Sequence, residues 1–194
     1  MSSSCKLLLI SSLALIGVVL MFKEDIPTLV LRHQLKKMTS ATMVFPKEMV
    51  CVKKGAIIED SILEGPRIPT LVIYIDSTQC GGCQMDKLYR YTSLYEQSME
   101  NKVFQLRIII SPKTREYWGL LNQIIAHQYV FPVYFDTQNR VKIENSFLSE
   151  NTVYHSFLLD RENHPIMVGD PTASNKLYAV FLAALEQEIN NGSN

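Results

Sequence analysis

The chain has 194 residues, 47% of them hydrophobic, and its 19 basic and 19 acidic side chains cancel to a net charge of zero. That length holds one well-packed domain plus a short appendage, and the balanced charge excludes the basic footprint of a nucleic-acid-binding protein or a polybasic membrane patch. Four cysteines, Cys5, Cys51, Cys80 and Cys83, are too few for a disulfide-stapled scaffold, and only the last two are close in sequence.

Taken from the N-terminus, the first element is apolar: residues 7–22, "LLLISSLALIGVVLMF", carry no charge. The run is shorter than the roughly 20 residues that span a bilayer comfortably and lies near the upper limit of a signal-peptide core. Its bulky end, "VVLMF", lacks a small-x-small cleavage signature, which favours a retained anchor, and Cys5 precedes the run where a lipid-modified cysteine would follow it. Lys6 alone precedes the run, whereas Lys23, Arg32, Lys36 and Lys37 follow it. By the positive-inside rule the domain would be cytoplasmic, but large domains translocate regardless of charge and a short apolar N-terminus on such a domain implies export. The expectation is an N-terminal membrane helix within residues 1–22 and a domain on the periplasmic or otherwise extracytoplasmic side. Between them, residues 23–40 form a juxtamembrane linker in which "PTLVLRHQLKKM" sets Leu31, Leu35 and Met38 at helical spacing behind Pro27.

From about residue 41 to 194 the text becomes short β-rich runs and amphipathic helices, with no internal repeat. Cys51, in "KEMVCVKKG", reads as an isolated half-buried thiol. "TLVIYID" predicts a strand, residues 80–99 a helix, "VFQLRIII" a strand and "EYWGLLNQIIAH" a helix. "FPVYFD" follows as a strand, then a turn at "TQN" and a short segment to Phe147. Strands "YHSFLLD" and "PIMVGD" flank a turn at "RENH", and "NKLYAVFLAALEQEI" closes the chain as a helix. Strands separated by helices imply right-handed parallel crossovers, whereas the last two strands are close enough for an antiparallel hairpin. The predicted fold class is therefore α/β, a mixed central sheet with helices on both faces. Tyr89, Tyr91, Tyr95, Trp118 and Phe181 are assigned to core packing.

The stretch "DSTQCGGCQM", residues 76–85, carries the chemistry. It sits where a predicted strand ends and a helix begins, so the sulfur of Cys80 falls at a helix N-terminus. Unpaired N–H groups and the helix dipole there stabilise a thiolate and lower its pKa from about 8.5. Cys83, one turn further on, can reach it. Disulfide exchange needs this asymmetry, with Cys80 attacking a substrate disulfide and Cys83 resolving the mixed disulfide. Two thiolates at this spacing also form half of a zinc site, but no second CxxC or HxxxH appears and His33, His127, His155 and His164 stand singly. A non-catalytic binding module, or soft-metal handling of Cu(I) by the two thiolates and Met85, is the alternative that stays open. Peroxide reduction by one cysteine is weaker, because the context Pro-x-x-x-Thr-x-x-Cys is absent.

Strand, CxxC at a helix start, crossover, hairpin and terminal helix together resemble the thioredoxin fold. More closely, residues 41–190 resemble the membrane-tethered thioredoxin-like proteins of the TlpA and ResA type, in particular divergent versions common in Bacteroidetes. The resemblance lies in "LVIYIDSTQCGGC", "FPVYFDTQNRVKIENSF" and "YHSFLLDRENHPIMVGDP". It implies exchange of protein disulfides and dithiols outside the cytoplasm, through a redox-active Cys80–Cys83 pair and with no other cofactor or metal. The chain departs from the pattern in three places. Gln79 replaces the tryptophan that commonly precedes the first cysteine, and Gly82 replaces the proline inside the motif. Tyr74 falls where an acidic residue is often buried beneath the pair, with Asp76 as a substitute at the strand end. The cis-proline that faces the disulfide is replaced at about Tyr154, where a cis bond would cost about 2.5–4 kcal/mol, so a trans bond is expected. Gln79, Tyr154 and His155 are the expected substrate contacts, and His155 is also placed to tune the thiolate.

Overall fold

The computed structural model describes residues 36–59, 67–79, 85, 87–148 and 151–191. Met38–Asn194 form one compact unit, while the unit before it, Met1–Lys37, lies almost wholly outside the described residues. Both N-terminal expectations fall there: the membrane segment at 7–22, and the linker helix apart from its last turn, residues 36–39 being helical. No helix among the described residues is long and apolar enough to cross a membrane.

Seven strands form one mixed sheet. They are β1 (Val50–Lys53), β2 (Ala56–Ile58), β3 (Thr70–Ile75), β4 (Gln105–Ile110), β5 (Val133–Phe135), β6 (Ser156–Leu159) and β7 (Pro165–Val168), in the order β2-β1-β5-β4-β3-β6-β7. The helices are α1 (Thr92–Asn101), α2 (Tyr117–His127), α3 (Arg140–Glu144) and α4 (Asn175–Asn191), with short 3-10 turns at Leu88–Tyr91, Thr114–Glu116 and Thr152–Tyr154.

β3 pairs parallel with β4, and β4 with β5, through crossovers that contain α1 and α2. Both crossovers step the same way across the sheet, so right-handedness puts both helices on one face. β6 returns antiparallel to β3, and β6 and β7 make the expected hairpin. Pro165 opens edge strand β7, where its missing N–H costs no ladder bond. β1 and β2 form a second hairpin against β5, closed by Lys54 (φ 50°) and Gly55 (φ 75°). Both central residues of such a two-residue turn need positive φ, and a Cβ on Gly55 would come within 3.0 Å of the Ile125 carbonyl oxygen.

Every residue of β3 is buried, as a strand covered on both faces requires. Its alternate side chains enter two cores. Leu71, Ile73 and Ile75 join Leu106, Ile108, Ile110, Val133 and Phe135 under α1, α2 and α4, which contribute Leu94, Leu120, Leu121, Ile124, Phe181 and Leu185. Val72 and Tyr74 join Ile109, Tyr134 and Phe157 on the other face, under Val141 of α3 and Met38, Met43 and Phe45 of the N-terminal approach. The second core also takes Cys51, which is buried at 1% exposure rather than half-buried, because its strand is flanked by β2 and β5 and its side chain faces the second core.

Two expectations about the helices need correction. Helix 80–99 is not uniform among the described residues: Met85 is helical, a 3-10 turn at Leu88–Tyr91 follows, and an α-helix then runs from Thr92 to Asn101. At that join Arg90 and Tyr91 both turn their polar ends onto Asp170. Of the aromatic residues assigned to the core, Tyr91 and Phe181 are buried and Tyr95 packs at its edge, but Tyr89 and Trp118 are 70% and 69% exposed. Each follows by one position a residue packed inward, Leu88 and Tyr117, and one residue is about 120° of the 3-10 turn or about 100° of the α-helix, enough to carry a ring out to solvent.

Candidate active site

Three adjacent strands end level with one another. Ile75 of β3 is opposite Ile110 of β4, which is opposite Phe135 of β5. The backbone ladder continues one residue further, with Ser111 N–H donating to Ile75 O at 2.8 Å and Asp136 N–H to Ile110 O at 2.9 Å. At this level the sequence changes from apolar to polar: Asp76, Ser111 and Asp136 follow the three strands and are 3%, 1% and 1% exposed. The strands thus end in a buried polar floor, where hydrogen-bonding groups gather across three neighbouring strands.

Each floor residue is satisfied. Asp136 Oδ2 accepts from the Ser111 hydroxyl at 2.9 Å and from Val141 N–H at 2.8 Å, while Oδ1 accepts from Arg140 N–H at 2.9 Å. A carboxylate therefore caps the first turn of α3, where unpaired N–H groups favour negative charge. The turn so fixed carries Lys142, whose Nζ lies 3.4 Å from Asp76 Oδ2. Asp76 Oδ1 accepts the backbone N–H and the hydroxyl of Thr78, which folds residues 76–79 into a tight turn closed by Gln79 N–H donating to Asp76 O. Burial acts to raise the Asp76 pKa, but the Thr78 hydrogen bonds and the charges of His155 and Lys142 outweigh it and hold this carboxyl below its ordinary value.

Tyr74, one pleat below, donates its hydroxyl to Asn139 Oδ1 at 3.2 Å. Burial pushes its phenol up to about 12; a hydrogen bond with Ser111 opposes this, and the Asp76 and Asp136 charges add to it. The Tyr74 backbone N–H donates to His155 O at 2.8 Å, and the two rings stand 5.2 Å apart.

Cys80 and Cys83 lie outside the described residues. The described residues on either side are Gln79, in the turn after β3, and Met85, which is buried and whose carbonyl accepts the Tyr129 hydroxyl. Of the other expected site residues, Gln79 lines a cleft of about 340 Å³ with Lys87, Arg90, Thr152, Val153 and Asp170 among its walls. Tyr154 ends the 3-10 turn of Thr152–Tyr154 and packs its ring against the second core. His155 is 1% exposed, beneath that turn. All peptide bonds among the described residues are trans, including those at Tyr154.

Sequence reasoning did not single out Ser111, Asp136, Asn139 or Lys142. The signal available was the ending of two apolar runs in Asp76 and Asp136, together with the Ser that ends "RIIIS". It also missed the clamp beside the cleft, in which Asp170 Oδ2 accepts from Arg90 Nη2 at 2.6 Å and from the Tyr91 hydroxyl at 2.8 Å. Asp160, Glu162 and His164 approach one another in the β6–β7 turn, but Asp160 Oδ1 accepts the backbone N–H groups of Glu162 and His164, so turn geometry accounts for the grouping.

No family model and no curated protein matches the sequence. Among solved structures, a candidate thiol:disulfide interchange protein DsbE from Chlorobium tepidum is 20% identical, with a TM-score of 0.49 over 74% of this chain and 96% of that one. An uncharacterized thioredoxin-like protein from Porphyromonas gingivalis is 13% identical, with a TM-score of 0.49 over 76% and 93%. StoA from Bacillus subtilis is 17% identical, with a TM-score of 0.46 over 70% and 99%. At such identities and scores the topology itself decides the fold. A central β3 with a parallel neighbour reached through α1, an antiparallel neighbour that opens a hairpin, and a closing helix give this α/β domain a thioredoxin-like fold, extended by β5 and the β1–β2 hairpin.

Proposed function

We propose that the protein is a thiol-disulfide oxidoreductase that acts through Cys80 and Cys83, on a domain exported and held at the membrane by its N-terminal segment. One observation supports the reading: in the sequence the CxxC follows directly on the turn at the C-terminal end of the central strand, where Asp76, Ser111 and Asp136 form a buried polar floor, and it precedes Met85, which is helical. The Cys80 thiolate attacks a substrate disulfide, forming a mixed disulfide and releasing one substrate thiolate. Cys83 then attacks Cys80, forming the Cys80–Cys83 disulfide and releasing the second thiolate, so two electrons pass to the substrate. The reverse sequence oxidises a substrate dithiol. The sulfurs supply the chemistry, and no organic cofactor takes part.

Asp76 stands four residues before Cys80 and is held ionised at neutral pH by Thr78, His155 and Lys142. A carboxylate so stabilised is a weak proton acceptor, and its role is to fix the turn and the local charge. The test is a glutathione titration of the full chain in neutral detergent, with alkylation trapping. A reversible two-electron transition, with Cys80 the more reactive thiol and Cys83→Ser accumulating mixed disulfide, is the expected result. Tight binding of Zn²⁺ or Cu⁺ without a reversible transition would overturn the reading in favour of a soft-metal binding module.

A further inference from the structure

We infer that the chain pairs with a second copy of itself through the outer face of α4, as an antiparallel helix pair whose two-fold axis passes at the level of Phe181. The inference goes beyond the disulfide-exchange reading and does not depend on it.

The 17-residue helix α4 seats Phe181 and Leu185 in the first core and packs Leu177, Tyr178, Ala184 and Ile189 against its edge. A helix with one face in the core and the other in water carries polar side chains on the outer one. The middle of α4 does not: it reads "AVFLA", residues 179–183, with no polar side chain. Of these five, Phe181 alone turns inward, while Ala179, Val180, Leu182 and Ala183 are exposed, Val180 and Leu182 at 47% and 43%. Packing within the domain therefore accounts for one residue of the run and leaves the other four in water.

The charges at its two ends identify the occupant. Lys176 and Glu186, both exposed, stand five residues before and five after Phe181. Their ten-residue separation falls about 80° short of three full turns, so both border the exposed face. A two-fold axis at Phe181 sets Lys176 of each copy level with Glu186 of the other, and Ala179 level with Ala183. The contact is then isologous, with opposite charges matched at both ends and small side chains at the centre that let the two helices approach. A parallel pair would instead set like charges level. A bilayer surface fits less well, since an interfacial helix is rich in lysine and arginine on its polar face, whereas α4 has Lys176 as its one basic residue beside two glutamates.

Sedimentation equilibrium of the full chain in density-matched neutral detergent, at low salt and over a range of concentrations, is the test. One helix pair about 25 Å long buries less than the roughly 1,200 Å² of standard interfaces, so the expected result is a reversible monomer–dimer equilibrium. Lys176→Glu alone and Glu186→Lys alone should each weaken the dimer about ten-fold, because every dimer holds the pair twice and each swap turns both attractions into repulsions. Mixing the two variants should restore the wild-type affinity, since the mixed dimer again sets opposite charges level at both ends. Glu48→Lys, ahead of β1 and towards the other edge of the sheet, should leave the affinity unchanged. All three positions are exposed, so the variants keep the fold, which circular dichroism checks. A chain that stays monomeric throughout overturns the inference. An oligomer that neither swap weakens also overturns it and places the contact on another segment, and weakening by both swaps without recovery in the mixture overturns the antiparallel pairing.

Discussion

Replacing Lys142 by methionine removes one charge from the polar floor while keeping the length of the side chain. In the structure its ammonium stands 3.4 Å from a carboxylate whose side chain is 1% exposed, and is itself 23% exposed. At that separation an effective dielectric of about 20 gives a gross attraction of about 5 kcal/mol. Desolvation of both ions offsets most of it, and Asp76 keeps its two hydrogen bonds from Thr78, so the expected loss near neutral pH is about 1.5 kcal/mol. The loss depends on pH. The Asp76 pKa is depressed in the folded chain below its ordinary 3.8, so its contribution is present above that value and disappears as the pH falls through the folded-state pKa. Lys142→Met weakens the depression, and stability should then fall less steeply on acidification. Urea unfolding of both proteins at neutral pH and near pH 2 measures this, and the difference at neutral pH should shrink towards zero in acid. An equal difference at both pH values would refute the electrostatic reasoning and assign the effect to packing of the lysine stem.

Asp136→Asn replaces one of the two accepting oxygens by an NH2 group, so that the Ser111 hydroxyl and the N–H groups of Arg140 and Val141 are left with a single amide oxygen, and an expected cost of about 3 kcal/mol follows from stranding a backbone N–H against the new NH2. Ser111→Ala removes a donor rather than an acceptor and should cost only about 1 kcal/mol, so denaturant melts that rank the two variants in reverse would count against the capping role. On the alkaline side, Tyr74 should remain protonated while exposed tyrosines ionise, since burial lifts its phenol to about 12, and Tyr91, also raised by burial, should behave likewise. The folded chain then loses stability as the pH rises from about 10 towards 12, where the unfolded state releases these protons first. Ultraviolet titration should show the Tyr74 and Tyr91 phenols among those that ionise only with unfolding; their ionisation in the still-folded protein would contradict their burial.

The order of strands and helices was legible because periodicity and length are local signals. "TLVIYI" is too uniformly apolar for a half-exposed strand, and the short gap between "SFLL" and "PIMV" leaves room for little but a hairpin. The extension of the sheet was harder to read. β1 and β2 have only four and three residues, and although "FPVYFD" reads as a strand, the pairing of β1 with β5 joins residues more than 80 positions apart, as with Cys51 and Tyr134. The cysteine pair could be found because its two residues are close in sequence, whereas the polar floor is assembled by register. Asp76, Ser111 and Asp136 are unrelated residues until Ile75, Ile110 and Phe135 are set level. Lys142 meets Asp76 across 66 positions, and no periodicity announces such a pair. The exposure of Tyr89 and Trp118 was readable in principle, since both stand one step from an inward-facing position.

The enclosure of Cys51 gives the fold an internal clock. A thiol reagent must reach sulfur to react, and this one is 1% exposed within the second core. Modification at Cys51 therefore waits for the second core to open over β1, and its rate reports the fraction of time that core is open. With a fast reagent, labelling of this position counts opening events, while labelling at the dithiol follows its oxidation state. One peptide map of a single labelled sample thus separates how often the sheet breathes from how reduced the motif is, without any mutation.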